Sequence, residues 1–357
     1  WSVVKKHNIM MHHPYETFAA VDDFIYLAAK DPDVLAIKQT LYRVGTQSAI
    51  IDALAEAAEN GKEVTVLMEV KARFDEENNI HKARKLEEAG CHVIYGVAGL
   101  KTHSKITLVV RRESDGIRRY VHLATGNYNG KTARIYTDVG ILTADRAIGE
   151  DASAFFNLLS GYFESPAWKK LAVAPYDLRE RLYSSVDREI SAAKEGKKAV
   201  IIAKMNSLLD RHVIDRLYEA SQAGVIVRLI VRGICVLRPG VAGNISVHSI
   251  VGRFLEHSRL FYFYNDGAED VFISSADWMP RNLNERIELL VPVEYGPHKE
   301  RIKEILRLNY EDNVNGHIMD QNGEYTYLAD NRTGPAVNAQ ETFQKLAERA
   351  ASEHKKS

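Results

Sequence analysis

The sequence predicts an α/β protein of two tandem domains, each a mainly parallel, mixed sheet flanked by helices and related to the other by a pseudo-twofold. Three observations carry this. Apolar strands alternate with amphipathic helices, which implies a largely parallel sheet covered on both faces. The same order of parts occurs twice along the chain, and an internal repeat of this kind decides the fold. Finally, at 357 residues a single core has usually stopped growing, and roughly 150 residues per domain leads to an expectation of two.

In the first half, Val34-Leu35-Ala36-Ile37-Lys38 reads as a buried strand. A helix follows, with Ile50, Ile51, Leu54, Ala57 and Ala58 at helical spacing, Ser48 as its start signal and Gly61 as its stop. Val64 to Val70 is the next strand. In the second half, Ala199 to Lys204 takes the first strand's place, a helix begins at Asp210 and carries Val213, Ile214, Leu217 and Ala220, Gly224 stops it, and Val225 to Val231 is the matching strand. Each half then has a further strand and a histidine turn, Gly99-Leu100-Lys101-Thr102-His103-Ser104-Lys105 or Arg253-Phe254-Leu255-Glu256-His257-Ser258-Arg259. Both turns enter apolar strands, Ile106 to Val110 and Leu260 to Tyr264, and both strands are followed by small polar segments, Thr125-Gly126-Asn127-Tyr128-Asn129 and Ser274-Ser275-Ala276-Asp277-Trp278. Ser165-Pro166 and Ala174-Pro175 punctuate the middle, so the boundary is expected near residue 170, dividing the chain into 1–170 and 171–357. The tail after Asn309 reads as polar and irregular until a helix-like stretch from Ala339 to His354.

Composition narrows the function. With 45% hydrophobic and 27% charged residues the chain is globular rather than disordered, and a formal net charge of −1 gives no global field to recruit nucleic acid or an anionic membrane. Any polyanion site must be local. Cys91 and Cys235 stand far apart without CxxC spacing, which argues against a disulfide scaffold or zinc cluster and fits a reducing compartment. No apolar run reaches membrane-span length, and the start lacks the apolar core of a signal peptide and an initiator Met. The expectation is a cytoplasmic protein, and a piece of a longer one.

A His followed two residues later by a cation suits phosphoryl chemistry, because imidazole is a good nucleophile near neutral pH and the cation can hold a phosphate oxygen. On an extended segment residues i and i+2 share a face, so His103 with Lys105, and His257 with Arg259, can address one phosphate. Two such turns brought together by the pseudo-twofold would make one site of two imidazoles and two cations. Any single one of the 13 histidines is more simply a half-buried residue satisfied by hydrogen bonds. The occurrence of two His-x-basic turns at equivalent points of a duplicated unit favours function.

Residues 99 to 119 hold six Lys or Arg against two acids, and residues 228 to 259 hold five Arg against Glu256 alone. Arg111, Arg112, Arg118 and Arg119 flank a Ser114-Asp115-Gly116 hairpin turn and read as a solvated face. Arg43 and Arg73 follow the first two strands, where ligands of open α/β sheets bind, and are read as phosphate clamps, with a surface ion pair as the alternative for Arg73. The Gly96 to Thr102 stretch lacks the Gly that a P-loop needs before its Lys. His12-His13, with His7, reads as a loop feature rather than a metal site, and Ser207 and Asp210 as helix capping.

Taken together, His103-Ser104-Lys105 and His257-Ser258-Arg259, with Gly126-Asn127 and Ser275-Ala276-Asp277 downstream, resemble a divergent phospholipase D superfamily pair. His13-Pro14-Tyr15-Glu16, Ile37 to Arg43, Lys71 to Asn78, Gly99 to His103 and Ser274 to Met279 are similar to the catalytic half of the long, ATP-dependent bacterial polyphosphate kinases, a likeness reaching to about residue 315. The resemblance implies two tandem phospholipase D-like domains and reversible transfer of the ATP γ-phosphoryl group to polyphosphate. It makes His103 the phosphorylated residue and His257 the second histidine at the nucleotide, with Lys105 and Arg259 as cationic partners. It places the nucleotide pocket on Tyr136, Asp138, Arg232 and Arg286, with Tyr136 stacking adenine or, alternatively, serving as a core aromatic. It associates magnesium with Arg43 and Arg73; a guanidinium cannot ligate a cation, so the metal is expected on phosphate oxygens that these arginines grip. It further implies ATP, ADP and inorganic polyphosphate as partners without nucleic acid, an N-terminal half before this region, a homo-oligomer in the full-length protein, and a place in the cytoplasm or peripheral to the inner membrane. Hydrolytic phospholipase D members carry an Asp five residues after the Lys, where Val110 and Tyr264 stand here. That absence is read as disfavouring hydrolysis and as keeping the imidazole neutral. A phosphodiesterase or nuclease of the same fold, and an inactive polyanion-binding fragment, are the rival readings.

Overall fold

The computed structural model describes residues 1–42, 48–69, 76–97, 99–161, 167–241 and 243–354. Among these, the strands are β1 (Ile9–His13), β2 (Val34–Leu41), β3 (Glu63–Met68), β4 (His92–Tyr95), β5 (Lys101–Thr102), β6 (Ile106–Glu113), β7 (Gly116–Ala124), β8 (Tyr136–Thr143), β9 (Ala172–Ala174), β10 (Val200–Met205), β11 (Ile226–Val231), β12 (Ile245–Ile250), β13 (Leu255–Glu256), β14 (Arg259–Phe263), β15 (Asp270–Ser274), β16 (Arg286–Pro292), β17 (Gly316–Met319) and β18 (Tyr325–Tyr327). The helices are α1 (Ser2–Lys6), α2 (Ala19–Lys30), α3 (Ala49–Glu59), α4 (Glu76–Glu88), α5 (Arg146–Leu159), α6 (Leu178–Lys194), α7 (Arg211–Gln222), α8 (Pro280–Asn284), α9 (Gly296–Glu311) and α10 (Ala339–His354).

The chain forms two compact units. The first comprises Trp1–Arg134, Asp138–Tyr176 and Asn284–Val291; the second comprises Ile135–Thr137, Asp177–Leu283 and Pro292–Ser357. The passage from one to the other falls after Tyr176, because β9 pairs with β16 at Glu288↔Ala174 and Leu290↔Ala172 and so stays with the first unit. Two short segments cross against the chain order, and a linear boundary cannot express that.

The main sheet of the first unit runs β1-β8-β7-β6-β2-β3-β4. Only β2–β3 and β3–β4 pair in parallel; β1–β8, β8–β7, β7–β6 and β6–β2 are antiparallel. The second unit runs β18-β17-β12-β11-β10-β14-β15, parallel at β10–β11 and β11–β12 and antiparallel elsewhere. The sheets are mixed: within these two strand orders parallel pairing runs through β2–β3–β4 and β10–β11–β12, the short strands β5 and β13 pair in parallel with β16 and β8, and hairpin connections such as β6–β7 impose antiparallel neighbours. The duplication is explicit in the pairing. β2 and β10 each have a parallel neighbour on one side and, on the other, the antiparallel strand that follows a histidine turn, β6 or β14.

Helix α3 buries Ile50, Ile51, Leu54 and Ala57, the face its 3.6-residue period requires. They pack into a core with Ile37, Val66 and Val109, all at or below 2% exposure, each large aliphatic contributing about 1.5–3 kcal/mol on burial. Ser48 is its N-cap but makes no side-chain cap bond; Asp210 does cap α7, accepting from Val213 N at 3.1 Å. Gly61 ends α3 at φ +80° and Gly224 ends α7 at φ +104°, conformations that disfavour a Cβ.

The Ser114-Asp115-Gly116 turn closes the β6–β7 hairpin at Glu113↔Gly116. Its arginines are held locally: Arg111 by Asp31, Asp33 and Glu113, Arg118 by Asp115, and Arg119 by Ser153. Two expectations need correction. His12 and His13 lie in strand β1, not a loop; apolar Ile9-Met10-Met11 before them pairs with β8. The tail is not irregular up to Ala339: β17 joins β12 and β18 joins β17, strands too short for a clear alternation in sequence.

Candidate active site at two histidine turns

The first turn is built on β16. Strand β5 pairs in parallel with β16, Lys101 opposite Arg286 and Thr102 opposite Ile287. The backbone N–H groups of His103 and Ser104 both donate to the Ile287 carbonyl at 3.0 Å. Thr40 Oγ1 of β2 ties the other side, donating to the Ser104 carbonyl at 2.8 Å and accepting from Ile106 N at 3.2 Å. The buried Glu69 carboxylate accepts from Thr102 N at 3.0 Å. A segment without regular structure is thereby fixed by three elements.

The His103 ring meets a carboxylate that the sequence reading did not anticipate. Its Nδ1 lies 2.9 Å from Glu288 Oε1 and 3.0 Å from Oε2, and Glu288 is fully buried. The carboxylate accepts the Nδ1 proton and leaves the lone pair at Nε2, the arrangement that makes imidazole a nucleophile. Tyr42 stands edge-on to the ring at 5.0 Å. The Asp missing after Lys105 has a counterpart in space, an orienting carboxylate that lies 185 positions away in sequence. The missing Asp therefore argues neither against hydrolysis nor for an uncharged imidazole. One signal was available: a lone acid inside the apolar run Ile287-Glu288-Leu289-Leu290-Val291, where burial demands a partner. Lys38 in its apolar strand gives the same signal and is only a half-buried residue paired with Glu63 at 3.2 Å.

Lys105 is fully buried and its Nζ donates to the His103 carbonyl, with the Tyr42 ring 5.8 Å away. Arg286 lies two residues before Glu288 on β16 and so shares its strand face. Asp138 is buried against the Thr125-Gly126 segment: Thr125 Oγ1 donates to it at 2.6 Å, and a Cβ on Gly126 would come within 2.2 Å of Asp138 Oδ2. Beneath them His122 is wholly buried, its Nδ1 2.9 Å from Tyr128 OH; burial, then the neighbouring His13, pushes its pKa down to about 3. Arg43 and Arg73 lie outside the described residues.

In the second unit His257 N donates to Thr137 Oγ1 at 3.2 Å. Tyr136, opposite Leu255 in the β8–β13 pairing, brings its half-buried ring to 5.2 Å from that of His257 at an interplanar angle of 46°. Arg259 Nη1 donates to the His257 carbonyl at 2.8 Å and stands 3.2 Å from Nε2, while Nε and Nη2 engage Asp277 at 3.2 and 3.0 Å. Burial opposes ionisation of Asp277, but the Arg259 charge and hydrogen bonds from Arg259 and Asn206 outweigh it and hold the carboxyl at about 2. Arg232 Nε donates to Asn206 Oδ1 at 2.6 Å, and Asn206 Nδ2 donates to the His257 carbonyl at 3.0 Å. Thus Tyr136 and Arg259 stand at His257 and Arg232 is linked to its carbonyl through Asn206, whereas Lys105 supports His103, Arg286 shares the strand that carries Glu288, and Asp138 lies against Thr125 and Gly126. Among the described residues, no group of three or more His, Cys, Asp or Glu could hold a metal ion.

Two α/β units with a histidine turn at the same strand of each define a protein of the phospholipase D-like fold. The phosphatidylserine synthase of Haemophilus influenzae shares it at a TM-score of 0.58 and 11% identity, covering 97% of this chain and 93% of that one. Residues 1–165 match the polyphosphate kinase C-terminal domain 1 family and residues 171–340 the polyphosphate kinase C-terminal domain 2 family; the chain belongs to the polyphosphate kinase family. It is 56% identical over 352 residues to the polyphosphate kinase of Halalkalibacterium halodurans, covering 98% of this chain and 50% of that protein. The crystal structure of polyphosphate kinase from Porphyromonas gingivalis superposes at a TM-score of 0.90 with 38% identity, covering 97% of this chain and 53% of that one. The chain thus spans about half the length of the relatives it matches.

Proposed function

We propose that this chain carries out the phosphoryl transfer of a polyphosphate kinase: the γ-phosphoryl group of ATP passes to His103 and from there to the end of a polyphosphate chain, reversibly. The observation that carries this reading is the Glu288–His103 pair. With Nδ1 engaged at 2.9 Å, Nε2 attacks the γ-phosphorus, the bond to the β,γ-bridging oxygen breaks, and ADP departs. A terminal polyphosphate oxygen then attacks the phosphohistidine, the P–N bond breaks, and the ring regains its lone pair. Glu288 stabilises the charge on the phosphorylated ring.

ADP is a good leaving group, so His257 acts mainly through hydrogen bonding and charge stabilisation of the nucleotide, with Arg259 and Arg232 beside it. Tyr136 offers an aromatic face for adenine. Lys105, buried under its turn, supports the His103 carbonyl and contributes positive charge from below. Magnesium belongs to this reading as an ion carried on phosphate oxygens; the described residues supply no ligand cluster for it, and no step here is assigned to it. Family membership supports ATP and polyphosphate as the substrates.

The test compares two variants. His103→Ala should abolish ATP-dependent polyphosphate synthesis, whereas His257→Ala should retain phosphorylation of His103 at a rate reduced about 10²–10³-fold, the usual effect of losing one positioned donor. Polyphosphate synthesis by His103→Ala at the parental rate would refute the assignment.

A further inference from the structure

Glu256, the residue before His257, is buried and is reached from three elements. Lys204 Nζ of β10 lies 2.9 Å from its Oε2, Thr137 Oγ1 donates to the same oxygen at 2.9 Å, and Gln340 Nε2 of α10 donates to Oε1 at 2.7 Å. Gln340 also pairs with the Phe254 backbone as a neighbouring strand would: Nε2 donates to the carbonyl at 2.9 Å, and Oε1 accepts from the N–H at 3.0 Å. Gly252 leaves the space, since a Cβ there would fall 2.6 Å from Gln340 Oε1. The start of α10 is fixed by buried Asp312, whose Oδ2 accepts from Ala339 N at 2.8 Å.

Beyond Ala339, Gln340 and Phe343, the described residues of α10 are exposed or half-buried. Two apolar side chains suffice to seat its first turn, and a third would cost less desolvation than a buried amide. Instead the position is polar, 4% exposed, and its three hydrogen bonds all end on residues 254 and 256. Fixing the Glu256 carboxylate between Lys204 and Gln340 fixes the backbone from which the His257 ring projects.

We propose that α10 is a positioning element of the second half-site, with Gln340 holding the turn that sets the His257 ring. This rests on the reading that His257 acts in phosphoryl transfer. The test uses Gln340→Ala and the size-matched Gln340→Met, with two readouts. One is the diethyl pyrocarbonate modification rate at His257 and at His103, followed by peptide mass. The other is kcat and KM for ATP in polyphosphate synthesis. A charge-assisted hydrogen bond is worth about a factor of ten or more, so His257 modification should rise about tenfold with His103 unchanged, and kcat should fall about tenfold with KM for ATP held within about twofold. Unchanged His257 reactivity and kcat in a folded variant would overturn the proposal, as would loss of cooperative melting in both variants, which would assign Gln340 to the fold alone. If the parent chain forms no phosphohistidine, the kinase reading fails, yet the His257-to-His103 modification ratio still decides the role of α10.

Discussion

Glu288 and His122 are two buried groups, the first bearing on chemistry and the second on stability. Glu288→Gln keeps the shape but offers Nδ1 an amide in place of a carboxylate, so the wrong tautomer is favoured and the developing ring charge goes unmet. Formation of phosphohistidine should slow about 10³-fold with the melting temperature little changed, measured by rapid-quench labelling; a rate within about threefold of the parent would remove Glu288 from the mechanism. His122 is buried neutral with a pKa lowered to about 3. A base whose folded pKa lies below its unfolded value binds its proton preferentially when unfolded. Its neutral burial is therefore harmless above about pH 6.5 and destabilises progressively as pH falls from there toward 3, by up to about 1.4 kcal/mol per pH unit. Urea midpoints between pH 7 and 4 should fall steeply for the parent and less steeply for His122→Asn. For Asp277 the folded pKa is depressed, so the Arg259 pair stabilises fully above about pH 4 and is lost only as pH falls toward 2.

At the scale of elements, the segments after β7 and β15 show why small residues follow each histidine strand. Gly126 lies flat against Asp138, and Gly126→Ala would place a methyl inside the carboxyl group. Either Asp138 or the backbone must shift, and a cost of about 1–3 kcal/mol follows, read as a drop in melting temperature together with a loss of labelling; a variant as stable and active as the parent would contradict the packing. The strand–helix–strand repeat, the hairpin at Gly116 and the cap at Asp210 were legible because each rests on local spacing: period 3.6, a turn dipeptide, an N-cap acid. β17 and β18 were not, being short strands whose sides are chosen by pairing with β12 rather than by their own pattern. Glu288 and Gln340 were illegible for a related reason. A buried polar residue announces that a partner exists, not which one, and their partners lie far off in sequence.

At the scale of the whole molecule, chain order and spatial unit disagree in two places, and both carry chemistry: Ile135–Thr137 brings Tyr136 and Thr137 to His257. The segment Asn284–Val291 belongs to the first unit, so the half-site at His103 is completed by residues from late in the chain. A fragment ending at Tyr176 should keep the β1-to-β4 sheet but lose the Ile287 carbonyl that holds the His103 and Ser104 amides. Hydrogen exchange should show protection retained in β2, β3 and β6 and lost from Lys101 to Ser104; protection of the turn in that fragment would show that β16 does not position it. Two histidine turns could be recognised from sequence because duplication repeats them, whereas the carboxylate behind the first appears only when the strands are assembled.

Exposure of the chain to γ-labelled ATP and magnesium, followed by peptide mapping, tests the account most directly. Phosphate that is labile to acid, stable to base and located on the peptide containing His103 is the predicted result. Label on another peptide, or none at His103 while polyphosphate is still made, would contradict it.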